Sequence, residues 1–312
     1  MNNFNERINK TKELIANSDY IIIGAGAGLS KAAGFHYGGK RFNQYFDDFE
    51  KQYNIHDMYS GTFYNFKTEE EKWAYWARMI KCNTYDTKPT PVYQKLLKLI
   101  EHKKYFIITT NADNQFNINS FDMQKYFEVQ GNYIYLQCKN GCHNKVYYNH
   151  QLIDSMVHQT KNCKIPVTLV PVCPVCNGKM DIHVHKDQYF VTTKTWYKQN
   201  HDYNQFLKNA LEHNAVFLEL GVGFNTPGII RYPFEKIVYQ YKSAHKLSDL
   251  NARIAGALPF IEDTQDMTLS KLCEELQKRN IFDSNEKSFL ENNNYKEFIN
   301  SIQRNVFVVS TN

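Results

Sequence analysis

Four cysteines carry the sharpest chemical signal in the chain. Cys138 and Cys142 are separated by three residues and Cys173 and Cys176 by two, the second pair following about 30 residues after the first. Two knuckles of this kind satisfy a tetrahedral zinc ion. Four thiolates leave no open position for a reacting water, so the expected Zn2+ is structural. Cys163 and His143 stand open as substitutes, at poorer spacing. His183 and His185 alternate along a possible strand and are expected at the surface. Cys82 and Cys273 sit in helical patterns and are expected as buried apolar residues. Seven cysteines without an export signal argue against a disulfide framework.

A second set of candidates lies where apolar runs end. DYIIIG (19–24) is short, β-branched and apolar, the pattern of a buried strand, and it leads into GAGAGLSKAAG (24–34). YFIITT (105–110) leads into NADNQF, KYFEV (125–129) into Gln130-Gly131-Asn132, and AVFLELG (215–221) into VGFN. Glycines after a strand let the backbone approach a pyrophosphate, and the next helix N-terminus favours its charge. GAGAG is not G-x-G-x-x-G, because Leu29 interrupts it, and no strand with a terminal acid follows about 20 residues on. A ligand-free turn therefore stays open beside the phosphate reading. Asn111 and Asp113 are good turn formers, so a capped turn is one reading. The other has Asn111 hydrogen-bonding a ribose or an amide, with Asp113 near a developing positive charge.

These residues need a frame. A helix is expected over 5–17. Residues 42–82 are aromatic-rich and mostly helical, and EEEKWAYWARMIKC carries three acids in its first turn, as suits a helix N-terminus. Pro89 and Pro91 open the helix VYQKLLKLIEH. From about 132 to 190 cysteine, histidine, glycine and proline become frequent, and no helix of ordinary length is expected there. FNTPGIIRYPFEKIVYQY continues from the fourth strand. NARIAG reads as a last strand, and MTLSKLCEELQKR and YKEFINSIQR as closing helices. Strands separated by helices make an α/β fold, a Rossmann-like parallel sheet flanked by helices. Ligands sit at the carboxyl ends of such strands. Two insertions form a small domain, one helical (42–85) and one zinc-bearing (132–189). The large domain takes 1–41, 86–131 and 190–312, within one catalytic unit of 1–312.

With 37 basic and 32 acidic residues the net charge is only +5, and the basic residues are scattered. No basic stripe or nucleic-acid motif is present, so no nucleic-acid partner is expected. No apolar run approaches the ~20 residues of a membrane span. MNNFNERINKTKEL lacks the apolar core of a signal peptide. A cytoplasmic soluble protein, with no membrane partner, is the expectation.

GAGAGLSKAAG (24–34), TTNAD (109–113), VQGN (129–132), the two cysteine pairs and GVGFNTPG (221–228), in that order, resemble the sirtuin family over most of residues 20–230. The resemblance implies an NAD site between a Rossmann-like domain and a small zinc-bearing domain, where the bond from nicotinamide to ribose is broken. It implies Gly24, Ala25, Gly26, Gly28 and Leu29 at the pyrophosphate, and Phe35, Tyr37 and Arg41 on the nicotinamide side. Thr110, Asn111 and Asp113 would hold the nicotinamide ribose and carboxamide. Gly221, Gly223, Asn225 and Thr226 would face the adenosine half. Residues 249–262 depart from the usual pattern for adenine contacts.

Two departures matter. Deacylating sirtuins have a histidine at the position of Gln130, acting as a base on ribose hydroxyls. An amide orients a hydroxyl but takes no proton at neutral pH. The stretch Gly34 to Arg41 also replaces the family's Gly-Ile-Pro-Asp-Phe-Arg. With Gln130, the chain is similar to the macrodomain-linked (class M) sirtuins. That resemblance implies protein ADP-ribosyltransferase activity, with Asn111, Asp113 and Gln130 as catalytic residues. It implies a lipoylated glycine-cleavage-H-like carrier as acceptor, a macrodomain hydrolase as functional partner, and a link to oxidative stress. A deacylase using Asp113 or a water, and an inactive NAD-binding sensor, are the alternatives.

Overall fold

The computed structural model describes residues 2–224, 226–240, 244–248 and 309–310. Packing divides the chain into two compact units. One comprises Met1–Ala32, Lys103–Tyr105 and Leu207–Asn312, the other Ala33–His102 and Phe106–Phe206.

In the first unit, α1 (Asn2–Asn17) precedes β1 (Tyr20–Ala25), and α2 (Ala27–Ala32) follows it at once. β7 (Ala215–Leu220) pairs parallel with β1, in register from Tyr20↔Ala215 to Ala25↔Leu220. β8 (Ala244–Ser248) pairs parallel with β7, and β9 (Val309–Ser310) pairs antiparallel with β8. Every residue of β1 is buried, as an apolar run covered on both faces of a parallel sheet requires. α10 (Arg231–Gln240) packs onto β7, Phe234 meeting Phe217 nearly edge-on at 5.0 Å.

The second unit opens with α3 (Lys40–Tyr53), α4 (Met58–Thr62) and α5 (Glu69–Asn83), which supply the aromatic half of its core. Phe42, Phe46, Phe49, Trp73 and Tyr75 are fully buried there. α5 starts where the acids suggest, because Thr68 and Glu71 form a capping box. α6 (Pro91–Ile100) has Pro91 in its first turn. β2 (Lys104–Thr109) leads through α7 (Gln115–Ile118) to β3 (Tyr126–Glu128), and the two strands pair parallel. β4 (Gly131–Cys138) lies between β5 (Tyr147–Tyr148) and β6 (Met180–Val184) in a small antiparallel sheet. α8 (His150–Gln159) packs on α5, and α9 (Lys194–Ala210) sets Trp196 and Tyr203 against Phe127 and Phe106. Parallel strands flanked by helices are the architecture expected from the sequence.

Two expectations fail. Residues 132–190 do contain a helix of ordinary length, the ten-residue α8. Its buried stripe is only Ile153 and Met156, too short a periodic signal to read locally. His183 is buried, not at the surface. Phe190 stacks on its ring at 4.7 Å, and its Nε2 pairs with the Val191 carbonyl. His185 is exposed as expected. Asn225, Cys273, residues 249–262, the NARIAG strand and the two closing helices lie outside the described residues.

Candidate functional site

In the first unit two glycine turns interlock at the carboxyl ends of β1 and β7. The Gly26 N–H donates to the Leu220 carbonyl, and Gly28 N–H to Gly221, both at 3.0 Å. Gly221 has φ +63, and a Cβ there would lie 2.1 Å from the Leu29 nitrogen. A Cβ on Gly28 would lie 2.7 Å from the Gly221 Cα, and one on Gly24 would strike Ile230 of the chain just before α10 at 2.2 Å. These glycines are explained by the chain's own close approaches, and the amides of Gly26, Gly28 and Leu29 are all engaged internally. Gly223 differs, because a Cβ there would meet nothing within 4 Å. Ala25 is fully buried at the end of β1. Thr226 accepts the Ile229 N–H at its carbonyl, in the turn before α10.

In the second unit a polar cluster forms where β2 ends and β4 begins. Thr109 Oγ1 accepts the Asn111 N–H (3.0 Å), and Asp113 accepts the Gln115 N–H (3.3 Å). Both are Asx- or Thr-type turns, as the residue types suggest. The loop is laced to its neighbours: Val129 N–H donates to the Thr109 carbonyl and Tyr133 N–H to Ala112. Asn111 and Asp113 are buried, with Thr110 partly so. Tyr37 and Tyr133 hydrogen-bond through their hydroxyls beside Asp113. Burial, with the Asp113 charge adding to it, holds both phenols protonated far above neutral pH. Arg41 donates to the carbonyls of His36 and Cys82 and to Asn83 Oδ1, with its guanidinium over the rings of Phe35 and Tyr45 at 5.6 Å. It thereby fastens the Gly34–Arg41 loop to the end of α5.

Gln130 sits on a turn fixed from three sides. Trp196 Nε1 donates to the Val129 carbonyl (3.1 Å), and the His185 N–H donates to that of Gln130 (2.9 Å). Gly131 has φ +85, and a Cβ there would lie 2.3 Å from the His183 carbonyl oxygen. The glycine after Gln130 is therefore needed twice over, for its backbone conformation and for its missing side chain.

Glu128, Asn132, Tyr133 and Trp196 join this cluster without having been singled out from the sequence. Glu128 Oε1 accepts from Asn132 Nδ2 (2.7 Å), which also donates to Asn114 Oδ1 (3.1 Å). Burial raises Glu128 to about 7, the Asn132 hydrogen bond opposing and the Asp113 charge assisting. An acid at a strand end two residues from Gln130 was the signal available. The cluster holds neutral hydrogen-bonding groups around two carboxyls, suited to orienting a polyol and stabilising positive charge.

The four cysteines expected as ligands converge in the same unit. Their sulfurs all lie within 4.8 Å of one another, with Cys138–Cys176 at 3.7 Å and Cys142–Cys173 at 3.6 Å. Zinc–sulfur bonds of about 2.3 Å make a tetrahedron with edges of about 3.8 Å, so the two closest sulfur pairs already have the spacing of zinc ligands. β4 delivers Cys138, and a turn through Gly141 (φ +57) returns the chain to Cys142. Burial opposes ionisation of Cys173, but the N–H groups of Cys176 and Val175 turn to its sulfur and bring it to about 6. Cys163 is buried elsewhere, beside Asp48. His143 Nδ1 approaches Cys142 at 3.0 Å while its Nε2 meets Tyr147, outside the four-thiol set.

Parallel strands ending in glycine turns, with a four-thiol module, make this an α/β protein with a zinc-type site. No family model matches the chain. A protein ADP-ribosyltransferase of Staphylococcus aureus (strain Mu50 / ATCC 700699) is 36% identical over 231 residues, 74% of this chain and 73% of that protein. The chain belongs to the sirtuin-like protein ADP-ribosyltransferases. A probable bifunctional ADP-ribose hydrolase/ADP-ribosyltransferase of Fusarium oxysporum f. sp. cubense is 29% identical over 268 residues, 82% of this chain but 44% of that protein. Among solved structures, a Sir2 homolog–NAD complex shares 15% identity at TM-score 0.48, covering 77% of this chain and 81% of that one.

Proposed function

We propose that the protein is an NAD-dependent protein mono-ADP-ribosyltransferase. The observation that carries this is Gln130, an amide on a backbone turn held by Trp196 and His185, where a deacylase of the family needs a base. Deacylation passes through an intermediate whose breakdown needs a ribose hydroxyl deprotonated. Direct transfer does not. The bond from nicotinamide to ribose C1′ breaks and nicotinamide leaves with the electron pair. An acceptor oxygen or nitrogen then forms the new bond to C1′, and the proton it carried passes to water. Positioning and electrostatics lower such a barrier. In this reading Asn111 and Gln130 orient the ribose, Asp113 faces the charge that develops on it, and Tyr37 and Phe35 line the nicotinamide side. Ala25, Gly223 and Thr226, with Gly24, Gly26, Gly28, Leu29 and Gly221, form the strand-end turns assigned to the rest of NAD, and Asn225 is assigned there by the resemblance alone. Cys138, Cys142, Cys173 and Cys176 would hold a zinc ion that shapes the module and takes no part in the reaction.

The acceptor in this reading is a lipoylated H-type carrier, and a macrodomain hydrolase removes the modification. The class M resemblance supports both. The reaction is assigned to the cytoplasm. Among the described residues no helix is long and apolar enough to cross a membrane. The second reading, a deacylase, draws on Glu128, whose carboxyl is able to accept a proton near neutral pH. Labelled NAD separates the two. Transfer predicts label on protein with nicotinamide released in equal amount, and none with Asn111→Ala. O-acyl-ADP-ribose from an acyl peptide would establish the deacylase instead.

A further inference from the structure

Glu128 lies two residues before Gln130, and Asn132 two residues after it. The two close a ring around the turn through their 2.7 Å hydrogen bond. The second Nδ2 hydrogen of Asn132 goes to Asn114, and its Oδ1 accepts the Ile134 N–H at 3.1 Å, so the amide is fixed in orientation. Asn114 itself is held at φ 59, immediately after Asp113. One side-chain chain therefore runs from the strand end carrying Gln130 to the loop carrying Asn111 and Asp113. We propose that Glu128 is a positioning residue of the transfer reaction: through the Asn132 amide, its carboxylate fastens the Asn111–Asp113 loop to the Gln130 turn.

The choice of a carboxylate needs a reason. A neutral glutamine would accept the same hydrogen bond without placing a charge in a half-buried position near Asp113. The fold alone would favour the amide. A charged acceptor binds the Asn132 N–H more strongly, and it adds negative potential near Asp113. The groups facing Glu128 are Asp113 from the β2–α7 loop, Tyr126 of β3 and Tyr135 of β4. Both phenols are raised by burial and stay neutral, so neither changes charge as Glu128 ionises. The ionised form is the fastened one.

This inference rests on the transferase reading, and the test separates the two. The full-length, zinc-loaded protein is assayed with labelled NAD from pH 6 to 8.5, following nicotinamide release and protein label together. Wild type is expected to gain kcat/KM as pH rises through about 7. Glu128→Gln is expected to lose that rise and to run about tenfold slower at pH 8, the difference between a charged and a neutral hydrogen bond. The same variant is expected to melt at a higher temperature than wild type at pH 8. A residue that only supports the fold would not slow the reaction while raising stability. Glu128→Asp, which keeps the charge, is expected to keep the rise with pH. Glu128→Gln with the wild-type rate and profile would overturn the proposal, and so would a lower melting temperature at pH 8. If wild type releases nicotinamide without labelling protein, the transferase reading fails, and the role of Glu128 is read from nicotinamide release alone.

Discussion

Gly131 is the position where a single methyl group should do the most measurable harm. Its φ of +85 lies in the left-handed region, where an alanine costs roughly 1–2 kcal/mol. Its Cβ would also lie 2.3 Å from the His183 carbonyl oxygen and 3.0 Å from the Phe190 ring. That oxygen belongs to the backbone of β6, paired with β4 at Gly131↔Val184, so the neighbour cannot turn aside as a side chain would. Overpacking of this kind costs about 1–3 kcal/mol more. Gly34→Ala is the internal control. Its φ is +100, yet nothing lies within 4 Å of a Cβ there, so the strain acts without the clash. Urea denaturation of the zinc-loaded protein should place Gly131→Ala below Gly34→Ala by the clash alone, about 1–3 kcal/mol. Transfer should fall with it. A displacement of about 1 Å at Gln130 is enough for a loss on the order of a hundredfold. Equal stability of the two variants would refute the reasoning, as would wild-type transfer by Gly131→Ala.

Other outcomes follow from the same structure. Glu128 titrates at about 7 in the fold against an ordinary 4.5. A raised carboxyl binds its proton more tightly folded than unfolded, so stability is lost as pH rises from 4.5 to 7, and the penalty stays constant above. Glu128→Gln should thus be more stable than wild type at pH 8 by up to about 3 kcal/mol, the gap closing towards pH 5, by calorimetry. Cys173→Ser should lower zinc content and destabilise the second unit, measured by metal analysis and melting. A strong chelator should do the same to wild type. Trp196→Phe keeps the ring against Phe127 but removes the donor to the Val129 carbonyl. It should cost about 1 kcal/mol and reduce transfer.

The sequence shows some of these features plainly and hides others for definable reasons. β1 is legible because an unbroken β-branched run ending in glycine has few other uses. The four zinc-type cysteines are legible because their spacing is itself the constraint, and the choice of them over Cys163 and His143 holds in space. The glycine turns are harder. Their pattern suggests backbone approaching a phosphate, whereas Gly24, Gly26, Gly28 and Gly221 are required by close contacts with Ile230, Val222, Leu29 and one another. Only packing distinguishes those causes. His183 and His185 both stack on Phe190, and that only His183 is buried, its Nε2 against the Val191 carbonyl, is a tertiary fact. Glu128 reads as the tail of a strand, since its partner Asn132 returns only after the turn has formed. α8 escapes notice because two buried residues in ten make a faint stripe.

The most direct test of the account is one reaction series followed by mass spectrometry. Purified protein and labelled NAD are incubated with a lipoylated H-type carrier, the unlipoylated carrier and an acetylated peptide, side by side. The account predicts an ADP-ribosyl adduct on the lipoylated carrier and no deacetylated peptide. Deacetylated peptide with O-acetyl-ADP-ribose and no labelled protein would contradict it, showing that another group does the work of the absent histidine.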